Sequence, residues 1–377
     1  MNENLNKVKL SGIRKFYNEV QKVEGAISLT LGQPDFNLPV SIRDGLINAI
    51  NENKTTYTSN AGIVELREEI CKYLSLKDIK YNKEEICITV GGSEALFNIF
   101  TALLNRNDKV LIPTPAYPAY ESIVTLLGGE VINYSLDEQF KINVNDIEHK
   151  IKSMNIKYLV LSLPSNPTGA ILSKEEKEKL IKIITENDII VISDEIYESL
   201  CYDEYYSVAQ CYEIKDKIIY VGGFSKMFSM TGLRIGYYAC SEKLMNEIIK
   251  VHQYNVSCAP SICQWAVYKG LKEGLEDVEK MKKVFSKRKT LVVNRLKEMG
   301  LDVVIPKGAF YVFPSIKKFN MTSEEFALRL LYEEKVACVP GTAFGKGGEG
   351  YLRMSYCYSD EELLESLNRI EKFIYKL

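Results

Sequence analysis

Five runs of β-branched and aliphatic residues recur between about residues 85 and 240, and each leads into a turn or a helix-like segment. They are "EICITV" (85–90), "DKVLIP" (108–113), "KYLVLSLP" (157–164), "DIIVIS" (188–193) and "KIIYVGG" (217–223). Continuous apolar runs of this length describe strands covered on both faces. Their alternation with helices describes crossover connections, so an α/β fold is expected, with a mostly parallel sheet covered by helices. After about residue 240 the pattern changes to long charged helices, "SEKLMNEIIKVHQYN" and "LEDVEKMKKVFSKRKTLVVNRLKEM". A mixed tail follows, with "GLDVV", "GAFYVF" and "YLRMSY" reading as strands and "SEEFALRLLYEE" as a helix. That tail predicts a second, smaller α+β domain. The pattern alone does not assign residues 1–40.

Composition removes several function classes. A formal net charge of -2 leaves no basic field for nucleic acid or an anionic membrane. The start "MNENLNKVKLSGIRKF" has no apolar core of a signal peptide, and no window reaches the apolar length of a spanning helix, so a cytoplasmic protein is expected. Nine cysteines lie scattered without a C-x-x-C, which fits reduced, buried thiols. With only two histidines, His149 and His252, a histidine-based metal site or Ser-His-Asp triad is nearly excluded, and no metal is expected. "GKGGEG" (345–350) matches a dinucleotide fingerprint by its letters. The strand-like "YLRMSY" follows it where that fingerprint needs a helix, so a loop is expected.

In a parallel sheet, ligands bind beyond the carboxyl ends of the strands. The first strand delivers "GGSEAL" (91–96), a glycine pair and then Ser93 and Glu94 opening a helix. Free N–H groups at such an end attract phosphate or carboxylate, although taken alone an ordinary turn with a serine cap is the better explanation of the letters. The second delivers "PTPAYPAY", with Tyr117 held between prolines as a stacking platform or as packing. The third delivers "PSNPTG", whose Asn166 amide can donate to an anionic oxygen or merely build a turn. The fourth delivers "SDEIY". Asp194 follows an apolar run and is costly to bury unpaired, with a helix cap as the plain alternative. Tyr197 would share its helix face. The fifth delivers "GGFSKMFSMTGLRIG", where Ser225, Lys226 and Arg234 lie among small and apolar neighbours.

Each feature has an ordinary explanation alone; together they fit a pyridoxal 5'-phosphate site. Lys226 supplies an amine for a Schiff base with the aldehyde. The helix start and Arg234 hold the phosphate. Asp194 pairs with the pyridine nitrogen, Asn166 and Tyr197 bond the phenolic oxygen, and Tyr117 stacks on the ring.

"SNPTG", "SDEIY" and "FSKMFSMTGLRIG", in this order and spacing, resemble the class I aminotransferases of the fold-type I pyridoxal phosphate enzymes, and the likeness spans essentially the whole chain. The resemblance implies a large domain at residues 41–280 and a small one formed by 1–40 with 281–377. It implies that Lys226 is both the Schiff-base lysine and the acid/base catalyst. Gly92, Ser93, Glu94, Ser225 and Arg234 would line the phosphate end. Tyr57, in "TTYTSNAG", would reach the phosphate of a neighbouring subunit, which implies a homodimer. Arg353, in "GYLRMSY", would grip the substrate α-carboxylate, with Asn166 and the backbone near Gly32 beside it. The chain departs from many relatives at Gly223, where they carry serine, so one phosphate hydrogen bond is in question.

The activity implied is transfer of an amino group between an L-amino acid and a 2-oxo acid, with glutamate and 2-oxoglutarate as one pair. Details such as "SGIRKF", "LGQPDF" and "HQYNVSCA" look closest to aminotransferase A-type proteins, associated with N-acetyl-L,L-diaminopimelate in lysine biosynthesis. Aspartate or aromatic aminotransferase is the near alternative, and a C–S lyase on the same cofactor a further one. A second cation for a dicarboxylate could come from Arg14, or from a mobile polar cluster at 252–255; a solvated surface arginine is the plain reading of Arg14.

Overall fold

The computed structural model describes residues 2–377. The five apolar runs form the strands Ile86–Thr89, Lys109–Thr114, Ile156–Ser162, Ile190–Asp194 and Ile218–Gly223. They lie in one seven-stranded sheet. From edge to edge its order is Ile86–Thr89, Gly236–Ala239, Ile218–Gly223, Ile190–Asp194, Ile156–Ser162, Lys109–Thr114 and Glu130–Ser135. Gly236–Ala239 runs antiparallel to both neighbours, and all other pairs are parallel. The pleat sends Val110 and Ile112 into one core with Leu96, Ile99 and Ile248, and Leu111 into another with Ile147, Leu180 and Ile184. Helices Gly91–Leu103 and Glu242–Asn255 cover the first face, and Val144–Met154 and Lys174–Glu186 the second. Full burial of each such side chain stabilises the fold by about 1.5–3 kcal/mol, which explains the unbroken apolar runs.

Two of the seven strands carry no such signature. Glu130–Ser135 is an edge strand with exposed ends, so its letters are mixed. Gly236–Ala239 is four residues long and follows directly on the lysine segment. "DEIYESL" departs from the expected helix as well. A turn follows Asp194, then only the short 3-10 helix Glu198–Leu200, so Asp194 and Tyr197 share no α-helical face.

The tail holds a three-stranded antiparallel sheet, ordered Val339–Pro340, Leu352–Ser355 and Tyr311–Val312. Helices Ser323–Glu334 and Asp360–Ile374 pack on its core. Ile27–Ser28 pairs in parallel with Val336–Ala337, bringing the N-terminal segment to the tail. "GLDVV" is not a strand: Leu301 is buried and Val303 packs on the same core, but Gly300 and Leu301 N–H donate back into the preceding helix and beyond them the backbone gives one bond, Ser315 N–H to Asp302 O at 2.9 Å, instead of a ladder. The helix Leu275–Glu298 crosses between cores, with Val278 packing beneath the large sheet and Met281 and Phe285 in the tail's core. "GKGGEG" forms short 3-10 turns leading into Leu352–Ser355, with no α-helix following. Among the described residues none of the cysteines is paired; Cys71, Cys211 and Cys258 are half-buried rather than buried. No helix there is long and apolar enough to cross a membrane.

Candidate active site

The parallel strands end at a cavity of about 450 Å³, closed from the other side by the tail and the N-terminal segment. Gly92 and Ser93 line it from the start of helix Gly91–Leu103, and Ser225, Thr231 and Arg234 from the lysine segment. The close fit explains the glycines. Gly91 has φ +75°, and a Cβ there would stand 2.6 Å from Arg234 Nη2. Arg234 itself holds φ +56°, a strained value for a non-glycine residue and one concentrated at functional sites.

Asp194 is 6% exposed. Its Oδ2 accepts from Tyr120 Oη at 2.5 Å and its Oδ1 from Ile196 N–H at 3.2 Å. Burial pushes its carboxyl above the ordinary value, and these two donors hold it back. No cation pairs with it among the described residues. Lys226 donates to the carbonyl of Gly32. Burial lowers its amine to about 8; the nearby Cys357 thiol opposes this shift and the Arg234 and Arg353 charges add to it.

Arg353 is 2% exposed. Its Nη1 donates to Asn166 Oδ1 at 3.0 Å and its Nη2 to the carbonyl of Thr30. The guanidinium lies 4.4 Å from the centre of the Tyr311 ring, and its Nε has no acceptor. A buried guanidinium without a carboxylate is costly, so this one presents unused donors to a carboxylate guest. Tyr197 Oη and Tyr311 Oη lie 2.9 Å apart, and Tyr117 meets Tyr120 edge-on at 5.7 Å between ring centres.

The structure therefore gathers Gly32, Gly92, Ser93, Tyr117, Asn166, Asp194, Tyr197, Ser225, Lys226, Arg234 and Arg353 around one cavity. Two expected residues stand apart. The Glu94 side chain turns to the Val90 N–H (2.5 Å), Asn98 Nδ2 (2.7 Å) and His252, so as a lining side chain it is corrected to a support behind the cradle. Tyr57 is 89% exposed and does not line this chain's own cavity. The 252–255 segment is not a loose cluster, because it ends a helix and His252 is fully buried. Arg14 lines the cavity mouth with Ser11 and Ile13.

Tyr120 and Tyr311 escaped the sequence reading. Tyr120 stands three positions after Tyr117 in a quoted run, but its partner Asp194 is 74 positions away. Tyr311 meets Tyr197 across 114 positions, a pairing no local pattern encodes.

The donor set fits pyridoxal phosphate. An anion-seeking end, a buried carboxylate lacking a cation, an amine of lowered proton affinity and a guanidinium with an orphaned N–H meet the needs of its phosphate, ring nitrogen, aldehyde and substrate.

The model of the family described as "Aminotransferase class I and II" matches residues 24–370. The chain belongs to this family. This aminotransferase is 44% identical over 380 residues to a probable N-acetyl-LL-diaminopimelate aminotransferase of Bacillus subtilis (strain 168), covering 100% of this chain and 96% of the other. It is 40% identical to an aspartate aminotransferase of Pyrococcus abyssi, covering 99% and 98%. Among solved structures, the aromatic aminotransferase from Pyrococcus horikoshii OT3 superposes with a TM-score of 0.91 at 38% identity, covering 96% of this chain and 99% of that one. The aminotransferase is thus a transferase enzyme of fold type I.

Proposed function

We propose that this aminotransferase binds pyridoxal 5'-phosphate and moves an amino group between glutamate and a 2-oxo acid, with N-acetyl-L,L-diaminopimelate as the second amino donor. The observation that carries this reading is the meeting of Lys226, Asp194 and Arg353 in one cavity, none paired with an opposite charge among the described residues. When bound, the cofactor supplies an aldehyde that takes up the amino group and a ring that draws electrons from the substrate Cα.

The chain's own groups would do the rest. Arg353 binds the α-carboxylate, with Nε and the Nη groups as donors, and Asn166 fixes that guanidinium through Oδ1. The Asn166 amide nitrogen stays free to donate toward the phenolic oxygen, as does the linked Tyr197–Tyr311 hydroxyl pair. Asp194, steadied by Tyr120, keeps a proton on the ring nitrogen. Lys226 takes the Cα proton on Nζ in its neutral form, which its lowered proton affinity makes accessible near pH 8. Arg234, Ser225 and the helix start at Gly92 and Ser93 hold the phosphate. Glu94 supports that start from behind.

We further propose a cytoplasmic homodimer acting in amino-acid biosynthesis, in which Tyr57 reaches the neighbouring subunit's phosphate. Its exposure at the tip of a loop supports this. The domain division 41–280 against 1–40 with 281–377 belongs to the same reading, supported by the Ile27–Val336 pairing and by the switch of core between Val278 and Met281.

Relatives named for N-acetyl-LL-diaminopimelate, aspartate and aromatic amino acids resemble the chain to similar degrees, so initial rates decide the donor. With 2-oxoglutarate as acceptor, N-acetyl-L,L-diaminopimelate is expected to give the highest kcat/KM. A preference for aspartate or phenylalanine would overturn the donor assignment. Lys226→Ala is expected to abolish transfer from every donor, and surviving transfer would overturn the mechanism.

A further inference from the structure

His252 is fully buried in helix Glu242–Asn255 and does not line the cavity. Its Nδ1 lies 2.7 Å from Glu94 Oε1, and its Nε2 lies 2.9 Å from the carbonyl oxygen of Asn60. A carbonyl oxygen can only accept. Both Glu94 oxygens already accept, Oε2 from the Val90 N–H and Oε1 from Asn98 Nδ2. Nε2 therefore donates to the Asn60 carbonyl, and one hydrogen is shared between Nδ1 and Glu94 Oε1, with Asn98 Nδ2 3.5 Å from Nδ1.

The two partners belong to different parts of the site. Glu94 stands in the first turn of helix Gly91–Leu103, whose start frames the phosphate end. Asn60 stands in the loop 52–63 that carries Tyr57. The same loop is docked onto the segment after His252. Asn60 Nδ2 donates to Ser257 O at 2.7 Å, Ile63 N–H to Gln264 Oε1 at 2.8 Å, and Gln264 Nε2 to Thr58 Oγ1 at 3.2 Å. The base of the loop is fixed while its tip is exposed.

We propose that His252 is a positioning residue: a buried hydrogen-bonded bridge that locks the helix start at the phosphate end to the loop bearing Tyr57, so that both are set before the cofactor arrives. This rests on the cofactor reading above. Its effect would fall on cofactor affinity rather than on substrate.

Two measurements test it. His149, the other histidine, is exposed. In the His149→Gln protein, nitrogen-15 labelling of histidine leaves one ring in the NMR spectrum. Its Nε2 should carry the proton that faces the Asn60 carbonyl. A ring in the His149→Gln protein whose Nε2 carries no proton would overturn the proposal. The second measurement titrates pyridoxamine 5'-phosphate, which cannot bond to Lys226, against intrinsic fluorescence. His252→Leu should weaken binding about tenfold or more and His252→Gln, which keeps one donor, by less. KM for the amino donor at saturating cofactor should stay within about twofold. A variant with lowered Tm but unchanged affinity would show a packing role only and overturn the proposal. If the leucine variant does not fold, the glutamine variant decides by the same criterion. Failure of the unsubstituted protein to bind pyridoxamine phosphate would sink the cofactor reading and this inference with it. Binding that is equal in protein and variant would sink this inference alone.

Discussion

At the scale of the residue, the amine of Lys226 is shaped mainly by the loss of water around it. An ammonium pays for burial, so its proton leaves near pH 8 instead of near the 10.5 of a free lysine. The sign has a direct consequence for cofactor capture. Below about pH 8 the amine is protonated and cannot attack the aldehyde; as pH rises through about 8 the neutral form appears and the rate climbs, then levels. Stopped-flow absorbance of the apoprotein with pyridoxal phosphate, between about pH 6.5 and 9.5, should show that plateau. A rate still rising tenfold per pH unit at the upper end would mean an ordinary solvated lysine. Asp194 and Lys226 were legible because a functional group at or just beyond a buried strand end has few structural reasons to be there, and Arg234 because it lies among the small residues that follow Lys226. Arg353 came only through family likeness, since it lies inside a strand of the tail. Arg14 reads from its letters as a surface residue, and only the approach of the N-terminal segment brings it to the cavity mouth.

At the scale of the element, strand ends set what the cavity admits. Gly223 closes the strand Ile218–Gly223, at the position where the family resemblance leads to an expectation of serine. A Cβ there would stand 2.4 Å from Ile196 Cδ1 and 3.4 Å from Gly236 Cα. A serine there would press its Cβ against the Ile196 side chain. Gly223→Ser should lower stability by about 1–3 kcal/mol in urea denaturation, and Ile196→Ala should restore most of it in the double variant. A single variant as stable as the parent would show that Ile196 yields freely. Strands buried on both faces were readable because burial on two sides leaves only apolar letters. The edge strand Glu130–Ser135, the short Gly236–Ala239 and the unpaired "GLDVV" were not, because their state depends on which strand lies alongside, and no neighbour is written into the local sequence.

At the scale of the whole molecule, the site is an assembly of distant parts. The N-terminal segment meets both other parts through two hydrogen bonds, Gly32 O accepting from Lys226 in the segment after the strand Ile218–Gly223 and Thr30 O from Arg353 in the tail. Arg288 braces the arrangement, gripping Asp35 with two bonds at 2.7 and 2.9 Å and Asp360 at 2.8 Å. Exposed Val40, Ile47 and Ile50 on the helix Val40–Asn51 are in keeping with the proposed dimer. Subunit crossing can be tested by mixing. Tyr57→Ala alone should bind cofactor weakly, and Lys226→Ala alone should be inactive. Hybrids of the two should contain sites with both Lys226 and a neighbour's Tyr57, so activity at low cofactor should reappear. No recovery would place Tyr57 outside the neighbouring site.

The central claim, that these parts form an amino-group transfer site on pyridoxal phosphate, is tested most directly by one absorbance titration. The cofactor-loaded protein receives glutamate, aspartate, phenylalanine or N-acetyl-L,L-diaminopimelate, with no 2-oxo acid present. The account predicts that at least glutamate and N-acetyl-L,L-diaminopimelate convert the yellow, lysine-bound cofactor to pyridoxamine phosphate, releasing one 2-oxo acid per site. A protein that stays yellow with every donor, and instead forms pyruvate and ammonia from cystathionine, would contradict it.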